Sequence, residues 1–290
     1  MKHWKPAAIA ALWSGALYAA PMPVVASFSI LGDVAQQIGG ERVAVQNLVG
    51  ANQDAHAYNL TSGDIKKIRE ARLVLLIGLG LEKAELQRAV KQSKVASAEA
   101  TAGIKPLAAD EHHHEHNHGH DHDHGEFDPH VWNDPVLMQR YAANVAIALI
   151  KADPAGSRYY QQRFKDYQHV LNQLNNYANQ QFGAVAPAKR KVLTGHDSFA
   201  YLGKRYQVKF ISPQGVSSEA EPSARQIAAI IRQIKAENVK AVFTENIKDG
   251  RMIARIAKET GVKVSGGLYA DALSSGAPAG TYADMFRYNV

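Results

Sequence analysis

Short apolar runs alternate with amphipathic stretches along most of the chain. The predicted strands of the first half are residues 24–30, 43–49 and 73–77. The third of these is a continuous apolar run, which is typical of a strand buried on both faces. Thr61 and Asp64 have the spacing of a capping box, so a helix is predicted over residues 61–71. A second helix is predicted to start at Asp134-Pro135, with the aspartate as cap and proline in the first turn.

The second half of the chain repeats this alternation. Its predicted strands are residues 191–194, 208–211, 241–244 and 262–264. Isoleucines at helical spacing between Ile227 and Ile234 predict an intervening helix, and Gly261 is placed to end the helix before the last strand. Alternating strands and helices indicate an α/β protein. We expect two lobes, each a mostly parallel sheet flanked by helices.

A long uninterrupted stretch separates the two halves. Asp153-Pro154 marks a helix start, and neither proline nor glycine occurs between residues 157 and 182. A helix of about 25 residues would be nearly 40 Å long, so we expect one rigid connecting helix over residues 153–182. A coiled-coil dimer helix is the alternative, but the apolar pattern covers too few heptads. The expected lobes are therefore residues 21–152 and 183–290.

The start of the chain has the pattern of a secretory signal peptide. Lys2 and Lys5 precede an apolar stretch over residues 7–20 that ends in small residues, which predicts cleavage near Ala20. The stretch is too short for a membrane-spanning helix, which needs about 20 apolar residues. The chain contains no cysteine, so we expect neither disulfides nor a lipid anchor on cysteine. The expected location is the periplasm.

Histidines are concentrated in one short segment. Eight of the 13 histidines lie within 13 residues, interleaved with acidic side chains. They are His112, His113, His114, His116, His118, His120, His122 and His124. Imidazole prefers zinc, copper or nickel among divalent ions, so residues 111–126 are predicted to form a flexible accessory metal-binding loop. The alternative is a solvated insert without function.

Three further histidines occur where loops follow predicted elements. They are His56, His130 and His196. Ligands of open α/β sheets bind at the carboxyl ends of strands, so these residues predict a metal site in the cleft between the lobes. Each one, taken alone, is also explained as a hydrogen-bonded polar loop residue. His169 falls on the predicted connecting helix and is left out of the site.

The chain resembles the zinc and manganese solute-binding proteins of bacterial ABC importers, known as cluster A-I. The resemblance rests on residues 26–33, 78–82, 128–132 and 221–223 together with the long central helix. It implies two lobes on a rigid helix with metal between them, and it implies His56, His130 and His196 as ligands. It adds Asp271 as the fourth ligand. Histidine at the third position is found in zinc-type members, whereas manganese-type members have glutamate there.

The resemblance is closer to the AztC-like branch than to the ZnuA-like branch, because the C-terminal disulfide is absent. Ala55 stands where many members have proline. Three imidazoles and one carboxylate make a closed four-coordinate shell that suits Zn²⁺. Asp54 and Asp197 are candidates for orienting the ligand rings.

The sequence therefore predicts a periplasmic protein that captures Zn²⁺ and delivers it to the permease of a zinc ABC importer. A periplasmic zinc metallochaperone is a second candidate partner, and we expect the protein to be a monomer. We expect no binding to nucleic acid, because basic and aromatic residues are not interleaved. An exported zinc hydrolase is disfavoured, since no His-Glu-x-x-His motif is present and a closed shell leaves no catalytic position. A manganese or iron carrier is the remaining alternative, and His196 argues against it.

Overall fold

Two four-stranded parallel sheets form the framework of the protein. The computed structural model describes residues 20–109 and 126–290. The N-terminal sheet contains β1 (Met22–Phe28), β2 (Val43–Val49), β3 (Leu73–Leu76) and β4 (Ala96–Glu99), in the order β2-β1-β3-β4. The C-terminal sheet contains β5 (Lys191–Leu193), β6 (Lys209–Ile211), β7 (Ala241–Glu245) and β8 (Gly266–Leu268), in the order β6-β5-β7-β8. The predicted α/β class with two parallel-sheet lobes is confirmed.

Helices cover these sheets and connect their strands. In the N-terminal lobe they are α1 (Ser29–Gly39), α2 (Ser62–Glu70), α3 (Ala84–Ser93) and α4 (Leu137–Ala152). The remaining helices are α5 (Ser157–Gly183), α6 (Ala200–Tyr206), α7 (Ala224–Glu237), α8 (Arg251–Thr260) and α9 (Tyr282–Asn289). The capping box predicted for α2 is present, because Thr61 accepts from the Asp64 backbone and Asp64 accepts from the Thr61 backbone. Gly261 ends α8 with a positive φ of 73°, as expected of a glycine cap.

The long helix α5 lies between the two lobes in the chain. Pro154–Gly156 forms a short 3₁₀ turn, and α5 then runs for 27 residues. Tyr160, Leu171 and Leu174 are fully buried along one side of the helix. Its start contacts the N-terminal lobe, where Arg163 donates to the Gln37 carbonyl at 2.8 Å. An uninterrupted helix of this length makes α5 the expected rigid connector.

The largest hydrophobic core extends across both lobes. It contains buried side chains from β1, α1, α4 and α5 together with those of α6 and α9. The C-terminal helix α9 packs against α1 and α5, and the Tyr282 backbone there donates to Asp33 at 2.8 Å. Trp132 is fully buried and donates to the Ala270 carbonyl at 2.8 Å. The lobes are therefore joined by packed side chains as well as by α5.

Several strand boundaries differ from the sequence expectation by a residue or more, and the first and last strands are the clearest cases. The strand predicted over residues 262–264 is wrong, because these residues are loop and the last strand is β8, which pairs with β7 from Gly266 onward. The first strand ends at Phe28 and α1 begins at Ser29, so residues 29–30 are helical. Within the two described ranges, no helix is long and apolar enough to cross a membrane. The predicted signal peptide (residues 1–20, of which only Ala20 is described) and nearly all of the predicted histidine-rich loop lie outside the described residues.

Candidate metal centre

His56 lies in the loop that follows β2, and a neighbouring carboxylate fixes the turn. Asp54 Oδ1 accepts from the backbone N–H of His56 at 2.9 Å and of Ala57 at 3.3 Å. This is the local turn that aspartate forms with its own backbone two residues ahead. The turn buries His56, which is 7% exposed, and directs its Nε2 toward His130 Nε2 at a distance of 3.2 Å.

His130 is held by the residue two positions before it. Asp128 Oδ1 accepts from the His130 backbone N–H at 2.9 Å and contacts the ring Nδ1 at 2.7 Å. The Trp132 ring packs edge-on against the His130 ring, with 5.1 Å between their centroids. An Nδ1–H that donates to Asp128 leaves the Nε2 lone pair free to bind a metal. Residues within the segment 128–132 therefore fix the orientation of the His130 imidazole.

His196 follows β5 and is oriented by a residue from the neighbouring strand β7. Glu245 Oε1 accepts from the backbone N–H groups of Gly195 at 2.8 Å and His196 at 3.1 Å, while Oε2 lies 2.6 Å from His196 Nδ1. Both residues are buried. This arrangement repeats the Asp128–His130 pair, and it also leaves Nε2 of the ring facing the cleft.

Asp271 follows β8 and completes the cluster. Its carboxylate oxygens lie 3.4 Å from His56 Nε2, 3.4 Å from His130 Nε2 and 3.1 Å from His196 Nε2. One ligand atom from each of the four residues lies within 4.8 Å of the others. Within the described part of the chain, neither oxygen of Asp271 nor His196 Nε2 has a hydrogen-bond partner of good geometry. Buried polar atoms without partners are rare, and here they converge on one point.

The cluster combines buried imidazoles with buried carboxylates. Burial lowers the pKa of His130, but Asp271 and Asp128 outweigh it and raise the pKa to about 9. For His196, burial is likewise outweighed by Glu245 and Asp271, which raise the pKa well above its ordinary value. Burial dominates at His56 and lowers its pKa. Without metal, His130 and His196 therefore carry protons at neutral pH that an incoming cation must displace.

The structure brings together the four residues that the sequence and the family resemblance nominated as ligands. Asp54 contacts the backbone of the His56 turn rather than a ligand ring, and the carboxylates that contact ring nitrogens are Asp128 at His130 and Glu245 at His196. Asp197 stays a prediction in this respect. Asp128 could have been found from its place two residues before His130. The sequence around Glu245 does not indicate its contact with His196, because the pairing of β7 with β5 brings the two residues together.

Side chains from the C-terminal lobe also close over the loop that carries His56. The buried Ser218 donates to Asp54 Oδ2 at 2.6 Å, so one carboxylate holds both the His56 turn and the opposite lobe. Lys248 donates in turn to the Ser218 carbonyl. Lys83 and Glu219 form an ion pair of 2.6 Å beside these contacts. These cross-cleft contacts form a latch, defined by Asp54–Ser218 and Lys83–Glu219.

The protein has a parallel-sheet lobe on each side of a buried His₃Asp cluster, and one long helix lies between the lobes in the chain. These features define a two-lobed metal-binding protein. Comparison with protein families agrees, because residues 24–290 match the family described as zinc-uptake complex component A, periplasmic. The chain belongs to this family, whose members are the substrate-binding components of ABC metal importers. Members act with a membrane permease and an ATPase, in the periplasm or outside the cell, and they are not enzymes.

The named relatives differ in the metal that their names specify. The manganese-binding lipoprotein MntA of Bacillus subtilis is 32% identical over 279 residues, which cover 93% of this chain and 87% of the relative. The iron-binding protein YfeA of Yersinia pestis is 28% identical, with 92% and 83% of the two chains covered. Family membership thus establishes a metal carrier and leaves its metal open. Some relatives are named lipoproteins, so the family is not restricted to unanchored members.

Solved structures show the same fold. The periplasmic zinc-binding protein TroA of Treponema pallidum superposes with a TM-score of 0.84 at 26% identity, over 93% of this chain and 96% of that chain. A manganese-bound periplasmic metal-binding protein from Candidatus Liberibacter asiaticus superposes with a TM-score of 0.78 at 28% identity, over 92% and 96%. The fold is thus shared by a protein named for zinc and by one bound to manganese, so the fold alone does not specify the metal.

Proposed function

We propose that this protein captures Zn²⁺ through His56, His130, His196 and Asp271 and delivers it to the permease of an ABC importer. The observation that carries the proposal is the convergence of three imidazole Nε2 atoms and one carboxylate. The His56 and His130 Nε2 atoms lie 3.2 Å apart, and an Asp271 oxygen lies 3.1–3.4 Å from each of the three Nε2 atoms. In a tetrahedral zinc site with bonds of about 2.0 Å, the ligand atoms are about 3.3 Å apart.

The chemistry of the donor set supports zinc over harder ions. Three of the four donors are imidazole nitrogens, which suit zinc, whereas manganese is better served by carboxylate, carbonyl and water oxygens. Asp128 and Glu245 hold the His130 and His196 rings so that their Nε2 atoms point inward. Preorganised ligands lose little conformational freedom on binding, which favours tight capture at low metal concentration.

A manganese or iron carrier is the second candidate, and the relatives favour it. The relative with 32% identity is named a manganese-binding protein, and another is named an iron-binding protein. The Asp271 carboxylate offers two oxygens to the cluster, so a fifth ligand atom is available to an ion of higher coordination number. Direct competition between the ions is therefore the deciding experiment.

Zinc is expected to bind one tight site with a Kd of nanomolar order or below, about 12 kcal/mol of binding free energy, and manganese is expected to compete poorly. The measurement is zinc stoichiometry and affinity by chelator competition, repeated with manganese and iron(II) as competitors. Equal affinity for zinc and manganese would favour the second candidate.

The same titration tests the predicted accessory loop. A variant lacking residues 111–123 should lose the weak zinc sites and keep the tight one, because the four proposed ligands of the tight site lie outside this segment. Loss of the tight site on this deletion would mean that the loop supplies a ligand in place of one of the four.

The latch is expected to control how fast the metal leaves. Ser218→Ala removes a hydrogen bond to the Asp54 carboxylate, and hydrogen bonds to charged groups contribute about 1.5–3 kcal/mol. Zinc release to an excess of chelator should become roughly tenfold faster in stopped-flow traces. The control is Ser157→Ala at the start of α5, since the Ser157 hydroxyl accepts from Gln161 of the same helix at 3.1 Å, away from the latch. Equal release rates in both variants would show that the latch does not restrain the metal.

A further inference from the structure

A row of lysines lies across the edge of the C-terminal sheet that faces away from the metal cleft. Lys191 and Lys209 are register partners at the starts of β5 and β6. Lys240 takes the next position, because the first paired residues of β5 and β7 directly follow Lys191 and Lys240. The first pair between β7 and β8 joins Phe243 to Gly266. Lys240 and Lys263 each lie three residues before these partners, so Lys263 takes the position beside Lys240. This lysine row is roughly 14 Å wide.

Little negative charge balances the lysine row. Glu237, at the end of α7, lies 2.6 Å from Lys209 Nζ and 3.8 Å from Lys191 Nζ. Lys240 and Lys263 are exposed, and no carboxylate in residues 20–109 and 126–290 lies within ion-pair distance of either. Lys189 and Arg190, just before β5, add two further cations. Like charges in neighbouring positions of a sheet repel and lower its stability, so the fold does not explain the exposed charges of Lys240 and Lys263.

Exposed aliphatic side chains accompany the lysines. Val264 directly follows Lys263 and is 39% exposed, and Val185, whose carbonyl accepts from Arg190 at 2.8 Å, is also 39% exposed. Lysines beside exposed aliphatic groups are typical of surfaces that lie at a membrane interface, where ammonium groups meet phosphates and short apolar groups enter the headgroup boundary.

We propose that the lysine row binds the anionic phospholipid surface of a membrane. Clustered lysines near a negatively charged leaflet are each attracted by the surface potential, and the attraction is additive while the row faces the surface. The family acts with a membrane-embedded permease, so its members work next to a phospholipid surface. Binding would confine the protein to two dimensions near its partner. The site lies at the opposite end of the lobe from the metal ligands and does not depend on which metal is carried.

The test is sedimentation of the purified metal-free protein with vesicles at about pH 7.5, where ordinary histidines are neutral. The protein should sediment with equimolar phosphatidylcholine–phosphatidylglycerol vesicles at low salt and stay in solution with phosphatidylcholine alone. Raising the salt concentration should release it, because screening shortens the reach of the surface potential. The double variant Lys240→Glu/Lys263→Glu should bind the anionic vesicles at least tenfold more weakly.

A second double variant with the same net charge provides the control. Lys91→Glu/Lys105→Glu changes two exposed lysines of the N-terminal lobe, and it should bind nearly as well as the unmodified protein. Lys240→Gln/Lys263→Gln should fall between the two, and retained tight zinc binding reports that each variant is folded. Equal losses in both double Glu variants would overturn the proposal, because net charge alone would explain them. Failure of the unmodified protein to sediment with anionic vesicles at low salt would also overturn it, and would leave an acidic protein surface as the partner to test.

Discussion

Replacement of His196 with alanine is expected to weaken zinc binding by roughly a hundred- to a thousandfold. Structural zinc sites contribute about 10–16 kcal/mol through four ligands, so the loss of one ligand removes about a quarter of that free energy. The variant also leaves Glu245 buried without its ring partner. Chelator competition measures the change directly. His169→Ala, a histidine on α5 outside the cluster, is the matched control and should bind zinc normally.

Two further variants separate a ligand from a residue that only orients it. Glu245→Gln should weaken zinc binding by about ten- to a hundredfold, because it keeps the His196 imidazole and perturbs only its orientation and charge. His196→Glu should move the preference toward manganese, since it replaces a nitrogen donor with oxygen. A His196→Ala variant that binds zinc as tightly as the unmodified protein would remove His196 from the proposed ligand set.

Zinc affinity is expected to increase steeply as the pH rises from about 6 to about 9. An imidazole Nε2 cannot hold a proton and a metal at once, and nearby carboxylates raise the pKa of His130 to about 9 and that of His196 well above normal. Below these pKa values the metal-free protein holds the protons, so binding must release them. With two protons displaced, the apparent affinity should change by up to about a hundredfold per pH unit.

Calorimetric titration in two buffers with different ionisation enthalpies counts the released protons. We expect a value approaching two near pH 7, with His56 contributing little because burial lowers its pKa. Asp128→Asn should lower the number, since it removes one of the carboxylates that keep His130 protonated. An affinity that stays constant between about pH 7 and pH 9 without proton release would contradict this account.

The parts of the molecule that local chemistry dictates could be predicted from the sequence. The capping box of α2 depends only on Thr61 and Asp64. The buried strand β3 is indicated by its consecutive apolar residues. The strand β4 was missed because it is largely exposed and has no apolar run. The last strand was placed too early because β8 begins with two glycines, so its position depends on pairing with β7 rather than on composition.

The residues of the candidate site also divide into those that local sequence indicates and those that depend on the assembled fold. His56, His130 and His196 were recognisable from the loops in which they lie, and Asp271 only through the family resemblance. Glu245 was invisible, because a parallel pairing between distant segments brings it to His196. Glu245 also contributes to raising the pKa of His196 well above the ordinary histidine value of about 6.5. Electrostatic environment is a property of the assembled fold, so sequence spacing could not supply it.

The core that extends across both lobes couples the unfolding of the N-terminal lobe to that of α6 and α9. A chain of this length is ordinarily divided into domains that can lose their structure separately. Here α6 and α9 contribute to the same apolar cluster as β1 and α4, so partial melting of one lobe would expose side chains of the other. The free energy gained when a cation binds between the lobes is therefore shared by the parts of both lobes that this core joins. The loaded carrier should resist proteolysis throughout these parts, and not only around the loops that hold its cargo.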